Sequence, residues 1–207
     1  MSDILAIRKR PGMYVGLAEN RLDFHQLVTE CISSAIVDAR QAAAPQIDVV
    51  LHADGSCSVS DNGPGLWNRP SSEPGRLVGE RILTDFVAGI ASGFDDPQEA
   101  GGLISSLAVV NALSERLSVR LRTHGIEHKC AYRRGVRQDA ATSTPCAADA
   151  SGTTIHFLPD ETLFGSAVFD ADVISRRMLP LTFFLPAGIL TLTDARAPVP
   201  SRVQIGL

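Results

Sequence analysis

The sequence predicts a two-layer α+β sandwich in which helices lie on one face of a mixed sheet. Three observations predict it. A helix-period run over 22–43 leads directly into a hairpin signal, three strand patterns follow one another between 117 and 158, and a last helix pattern returns the chain to a strand at 189–193. The order helix, hairpin, helix, helix, three strands, helix, strand is that of a sheet layered with helices.

Each element rests on its own residues. Over 22–43, Phe24, Leu27, Val28, Cys31, Ile32, Ala35, Ile36 and Ala39 recur at spacings of three and four, the period of one helix face, and Pro45 ends the run. Residues 47–51 and 57–60 read as two strands joined by Ala53-Asp54-Gly55-Ser56, a turn with an Asp-Gly signal. The stretch 62–75, with Gly63, Gly65, Gly75, Pro64, Pro70 and Pro74, reads as a loop. Helices are predicted at 77–87 and 103–113, separated by a Gly-, Asp- and Ala-rich segment over 89–102 that reads as mobile. Strands follow at 117–123, 127–133 and 153–158, with the small, polar stretch 138–151 read as a surface loop before the third. A helix over 170–183 and the strand at 189–193 close the pattern, and there is no internal repeat.

The 207 residues, 44% apolar and 20% charged, describe one globular domain. At this size folding buries roughly 70% of the extended chain's surface, enough for a core without disulfides or metal. A net charge of −4 argues against a face that neutralises phosphates, so no nucleic-acid partner is expected. The short basic groups Arg8-Lys9-Arg10 and Arg133, Arg134, Arg137 read as solvated surface. There is no apolar run of about 18 residues and no signal-peptide order at the N-terminus, so the expectation is a cytoplasmic protein without a membrane partner. Cys31, Cys57, Cys130 and Cys146 are scattered without CxxC spacing, and no metal site or redox pair is predicted.

Four ordered segments carry a resemblance: Ile7-Arg8-Lys9-Arg10-Pro11-Gly12-Met13-Tyr14-Val15-Gly16; Leu51-His52-Ala53-Asp54-Gly55 with Val59-Ser60-Asp61-Asn62-Gly63-Pro64-Gly65; Gly101-Gly102-Leu103 with Val109-Val110-Asn111-Ala112-Leu113-Ser114-Glu115; and Ser151-Gly152-Thr153-Thr154. In this order they resemble the N-terminal ATPase domain of the DNA gyrase B and topoisomerase IV family, part of the GHKL group with the Bergerat fold. The resemblance covers about 7–196, and fold alone does not carry function.

The resemblance implies roles residue by residue. Glu30 matches the carboxylate that orients and deprotonates the attacking water, Asp61 the residue that accepts the adenine amino hydrogen bond, and Thr153 the threonine that supports it. From the residues alone, Glu30 also reads as an exposed helix carboxylate and Asp61 as a turn-former before Asn62-Gly63. Around them, Ser34, Gly63, Gly65, Leu66 and Ile104 complete the expected ligand pocket.

The departures from the family pattern concern phosphate. Ser34 stands where the family has an Asn that coordinates magnesium, and a neutral hydroxyl is a poor substitute for a cation that demands octahedral oxygens. Gly101-Gly102-Leu103-Ile104-Ser105-Ser106-Leu107 replaces the glycine-rich lid whose bare amides cradle phosphates. Ala91-Ser92-Gly93 stands for the family's Gly-Gly-Lys, and Pro64 takes the place of an Arg. The chain also stops at Leu207, before the family's following transducer domain with its γ-phosphate Lys, and only about six residues represent the N-terminal arm. At roughly 3 kcal/mol for each lost donor, these changes predict no useful ATP hydrolysis and no cofactor.

Three functions follow. In the first, the pocket is repurposed for an uncharged, partly apolar organic molecule of specialised metabolism, with Val37, Pro64, Ile104 and Leu107 lining it and Trp67 close in sequence. Glu30 and Asp61, desolvated, then act as acid and base in an isomerisation or cyclisation. In the second, the domain is a pseudo-ATPase acting by protein contact, as a homo-oligomer or on gyrase. In the third it is a residual ATPase. Cys31, His25 and His52 are expected in core or solvated roles.

Overall fold

The computed structural model describes residues 3–65, 78–86, 106–166 and 168–206. The helix-period run becomes α3, His25–Ala39, after two short helices, α1 (Asp3–Lys9) and α2 (Gly12–Val15), and a ribbon of β1 (Leu17–Ala18) and β2 (Arg21–Leu22). The ribbon's turn places Glu19 and Asn20 at positive φ, 52° and 64°, so the chain reverses there and α3 starts three residues later than periodicity suggests. At its other end Arg40 caps the helix well short of residue 43. Along α3, Leu27, Cys31, Ile32, Ile36 and Ala39 are buried; its last turns are buried all round, Ser33, Ser34 and Asp38 included.

The predicted hairpin forms as β3 (Gln46–Leu51) and β4 (Cys57–Asp61), with Leu51 opposite Cys57 and Gly55 at φ 81° in the turn. Asp54 shapes the turn by accepting from the Ser56 amide at 3.1 Å. Two helices follow, α4 (Val78–Thr84) and α5 (Leu107–Leu113); the predicted loop after Gly65, the segment 89–102 and the first residues of the second helix lie outside the described residues.

The chain then runs through β5 (Ser114–Thr123), β6 (Ile126–Arg133), β7 (Val136–Arg137), β8 (Thr142–Pro145) and β9 (Gly152–Pro159). Helix α6 (Glu161–Phe164), helix α7 (Ala171–Leu181), a 3-10 turn (Thr182–Phe184), β10 (Ile189–Asp194) and β11 (Ser201–Ile205) complete it. One mixed sheet results, ordered β11-β10-β3-β4-β9-β5-β6-β7 with β8 on β6; β10 runs parallel to β3 and the other pairings are antiparallel. This is the α+β architecture that the element order predicts. β8 and β11 were not expected, because every residue of β8 and four of five in β11 are exposed and carry no alternation.

Helices cover one face. On β5, Leu117, Val119 and Leu121 point into the core, while Arg116, Ser118, Arg120 and Arg122 alternate to the other side. The basic residues near the N-terminus require a correction: Arg8 is not simply solvated. Its guanidinium donates to the Ala112 carbonyl and to Asp160 Oδ2, each at 2.6 Å, and Asp160 is 1% exposed there. Arg133 and Arg134 pair with Glu115, and Arg137 with Glu80, so that group is exposed yet ion-paired.

Candidate functional site

Three side chains rise from one face of α3 at four-residue spacing: Glu30, Ser34 and Asp38. At 1.5 Å per residue they span about 12 Å along the helix axis. Asp61, the last residue of β4, meets the far end of this row. The position follows from the sequence: apolar Val59 anchors β4 in the core, and Asn62-Gly63-Pro64-Gly65 turns the chain away immediately after it.

Asp61 Oδ1 accepts the Gly63 amide at 2.8 Å and the Thr153 amide at 3.3 Å. Asp38 lies behind it, 1% exposed. Both of its carboxylate oxygens sit 3.2 Å from the Gly65 amide, and Oδ2 accepts from the Thr153 hydroxyl at 3.3 Å. Thr153 therefore joins the two carboxyls, its N–H serving one and its O–H the other. Burial, and then the neighbouring Asp38 charge, hold the Asp61 carboxyl well above the usual carboxylate range, against the pull of the two amides.

The glycines of the loop are there for space. A Cβ on Gly63 would lie 2.5 Å from Asp38 Cγ, and Gly65, at φ 81°, would place one 2.9 Å from Leu121 Cδ1. Gly152, at φ 113°, backs onto the Asp61 carbonyl so closely that no side chain fits.

Glu30 is engaged at both oxygens. Gln26 Nε2 donates to Oε1 at 2.9 Å, and the Ser106 amide, just ahead of α5, donates to Oε2 at 2.6 Å. Burial raises its pKa, and these two donors oppose the rise. Among the described residues, buried Ser106 Oγ has no hydrogen-bond partner. Ser34, 5% exposed, sits between the two ends of the row. A magnesium ion of the kind the family resemblance implies does not fit these donors: Ser34 offers one neutral hydroxyl, and among the described residues no three His, Cys, Asp or Glu converge.

Of the residues predicted from sequence, Glu30, Ser34, Asp61, Gly63, Gly65 and Thr153 lie along this row; Leu66 and Ile104 fall outside the described residues. Asp38 was missed. Its only sequence signal is the spacing of four from Ser34 and eight from Glu30, and an aspartate near a helix end ordinarily faces water. The other polar candidates hold structural positions. Cys31 is buried with its thiol pKa raised, chiefly by burial. His25 stacks on Phe24 and accepts the Asp170 amide at 2.9 Å, and His52 bonds Ser58 at 2.9 Å.

Residues 19–163 match the family of histidine kinase-, DNA gyrase B- and HSP90-like ATPases, and the chain belongs to that family. It is a gyrase B-like GHKL ATPase domain. It is 39% identical over 90% of its length to the mitochondrial DNA gyrase B protein of Arabidopsis thaliana, covering 26% of that protein. With the DNA gyrase B protein of Myxococcus xanthus it shares 37% identity over 92% of its length and 23% of the relative. With the DNA topoisomerase 4 B protein of Mycoplasma pneumoniae it shares 33% over 91% and 30%. The chain thus spans between 23% and 30% of the length of these relatives. Among the described residues no helix is long and apolar enough to cross a membrane.

Proposed function

We propose that this domain binds a neutral organic small molecule carrying an N–H donor over Asp61, and that it does not turn over ATP. One observation carries the reading. The Asp61–Thr153 floor is intact, whereas both Glu30 oxygens are already occupied by Gln26 and the Ser106 amide. A carboxylate so engaged is poorly placed to take a proton from water. Ser34 adds no cation ligand of the required kind. Asp61 has raised proton affinity, and the chemistry that such a carboxyl supports is proton transfer with the bound molecule, as in an isomerisation or cyclisation of a specialised metabolite. The partner in this reading is a small molecule.

Calorimetry on the full chain with adenosine and with magnesium ATP, alongside a phosphate-release assay, tests it. Adenosine is expected to bind at least as tightly as the triphosphate, with phosphate release at background. Micromolar, magnesium-dependent ATP binding with phosphate release sinks the proposal. It would favour the third reading, an ATP-hydrolysing domain, for which the identity to gyrase B and the place of Glu30 on α3 speak.

A further inference from the structure

Asp38 has no part in the small-molecule reading as stated, yet it is the most deeply buried acid of the row. Its surroundings are built around it. Gly63 leaves room for its carboxyl, Gly65 donates its amide to it, and Thr153 donates its hydroxyl while giving its own amide to Asp61. The chain on either side of Asp61 is thus tied to Asp38, by Gly65 after it in sequence and by Thr153 from the adjacent strand.

We propose that Asp38 is a specificity-determining positioning residue: fixed behind Asp61 by Gly65 and Thr153, it governs whether Asp61 meets a ligand as a hydrogen-bond acceptor or as a donor. An ionised carboxyl only accepts, whereas a protonated one offers an O–H. Two buried carboxyls bonded to the same threonine resist carrying two charges, so a charge on one raises the proton affinity of the other. Asp61, the less buried of the two, is the one open to a ligand. With Asp61 ionised the floor selects molecules that present an amino group; with Asp61 protonated it selects molecules that present a carbonyl.

The described groups around Asp61 agree with this assignment. On β9 the neighbour is Thr153, uncharged, and on the loop they are the amides of Gly63 and Gly65. From β5, Leu121 and Thr123 pack on Gly65, while the Arg122 guanidinium bonds Glu127 at 2.8 Å. On α3 the other carboxylate, Glu30, stands two turns away and is held by Gln26 and Ser106. Among the described residues the charged group acting on Asp61 is Asp38.

The inference rests on the small-molecule reading for its ligand but not for its test. Carbon-13 NMR of the aspartate carboxyls, on the full chain without ligand, follows Asp61 in the native protein and in Asp38→Asn. The substitution keeps a carbonyl for the Gly65 amide and an amide for the Thr153 oxygen, and removes the charge. The Asp61 midpoint is expected to fall by about one pH unit or more, equivalent to a tenfold change in proton affinity. Near the native midpoint, the ratio of adenosine to inosine affinity is then expected to rise by about the same factor. Asp61→Asn provides the reciprocal measurement, because coupling must move the Asp38 titration equally, and it keeps the test open if Asp38→Asn fails to fold. An Asp61 midpoint unmoved by Asp38→Asn, or an Asp38 titration unmoved by Asp61→Asn, overturns the proposal. If neither nucleoside binds the native chain, the small-molecule reading fails on those probes, and the carboxyl titrations still decide the role of Asp38.

Discussion

Asp61 concentrates the chemistry of the site in one carboxyl. Its raised pKa has a definite sign for binding: an amino-bearing ligand needs the ionised form, so adenosine affinity should fall as pH drops through the raised midpoint. Calorimetry across that range checks this, and Asp61→Asn should weaken binding about tenfold or more and flatten the pH dependence. The same shift has a sign for stability. A carboxyl whose folded pKa lies above its unfolded value stabilises the fold when protonated, and that contribution is lost as pH rises from the unfolded pKa through the folded one. Asp61→Asn, which still offers an oxygen to Gly63 and Thr153, should therefore raise the melting temperature at neutral pH, by about 2–4 °C per kcal/mol gained, and lose the advantage on acidification. A native-like or lower melting temperature at neutral pH would contradict the assignment of Asp61 as a strained acid. Glu30 and Asp61 were singled out by the family resemblance, since from the residues alone they read as an exposed helix carboxylate and a turn-former. Asp38 was not, because what makes it unusual is the arrival of Gly65 and Thr153 over it.

Among the elements, one close junction is where β9 begins beside the end of β4, its partner in the sheet. Gly152→Ala should be severely destabilising there, about 3 kcal/mol, because the residue is at φ 113° and its Cα backs onto the Asp61 carbonyl. Gly165→Ala is the control: φ is 67° with nothing within 4 Å of the added carbon, so the loss is the conformational one alone, about 1 kcal/mol. Urea midpoints of the two variants separate crowding from backbone strain. A second junction ties α1 to the body of the domain. Asp160→Ala removes the side-chain cap of α6 and leaves the Arg8 guanidinium facing an empty partner position, a loss of about 3 kcal/mol on the scale of broken buried pairs. A loss below about 1 kcal/mol would mean that Arg8 re-solvates freely, as the sequence alone suggested. Periodicity found α3, α4, α5, α7 and the central strands. It missed α1, α2, α6, β1, β2, β7, β8 and β11, which are short or mostly exposed and have no two-sided pattern to read.

For the whole molecule, the sheet order puts a late strand beside an early one: β10 lies parallel to β3 and shields it. Deleting 201–206 removes an edge strand that buries only Ile205 and should leave a folded, cooperative domain by circular dichroism. Deleting 189–206 also removes Leu190 and Leu192 from the core and uncovers the β3 edge, and it should abolish cooperative unfolding. By itself the sequence determined the two-layer class, the identities of the long helix and the central hairpin, and the family likeness of the Asp61 loop, because all of these are written in spacing along the chain. Only the tertiary structure decided that Glu30 is bonded at both oxygens, that Arg8 anchors to Asp160, and that Asp38 stands behind Asp61. Each of these depends on which distant segment folds against the residue, and burial and charge pairing between segments far apart in the chain leave no trace in local periodicity.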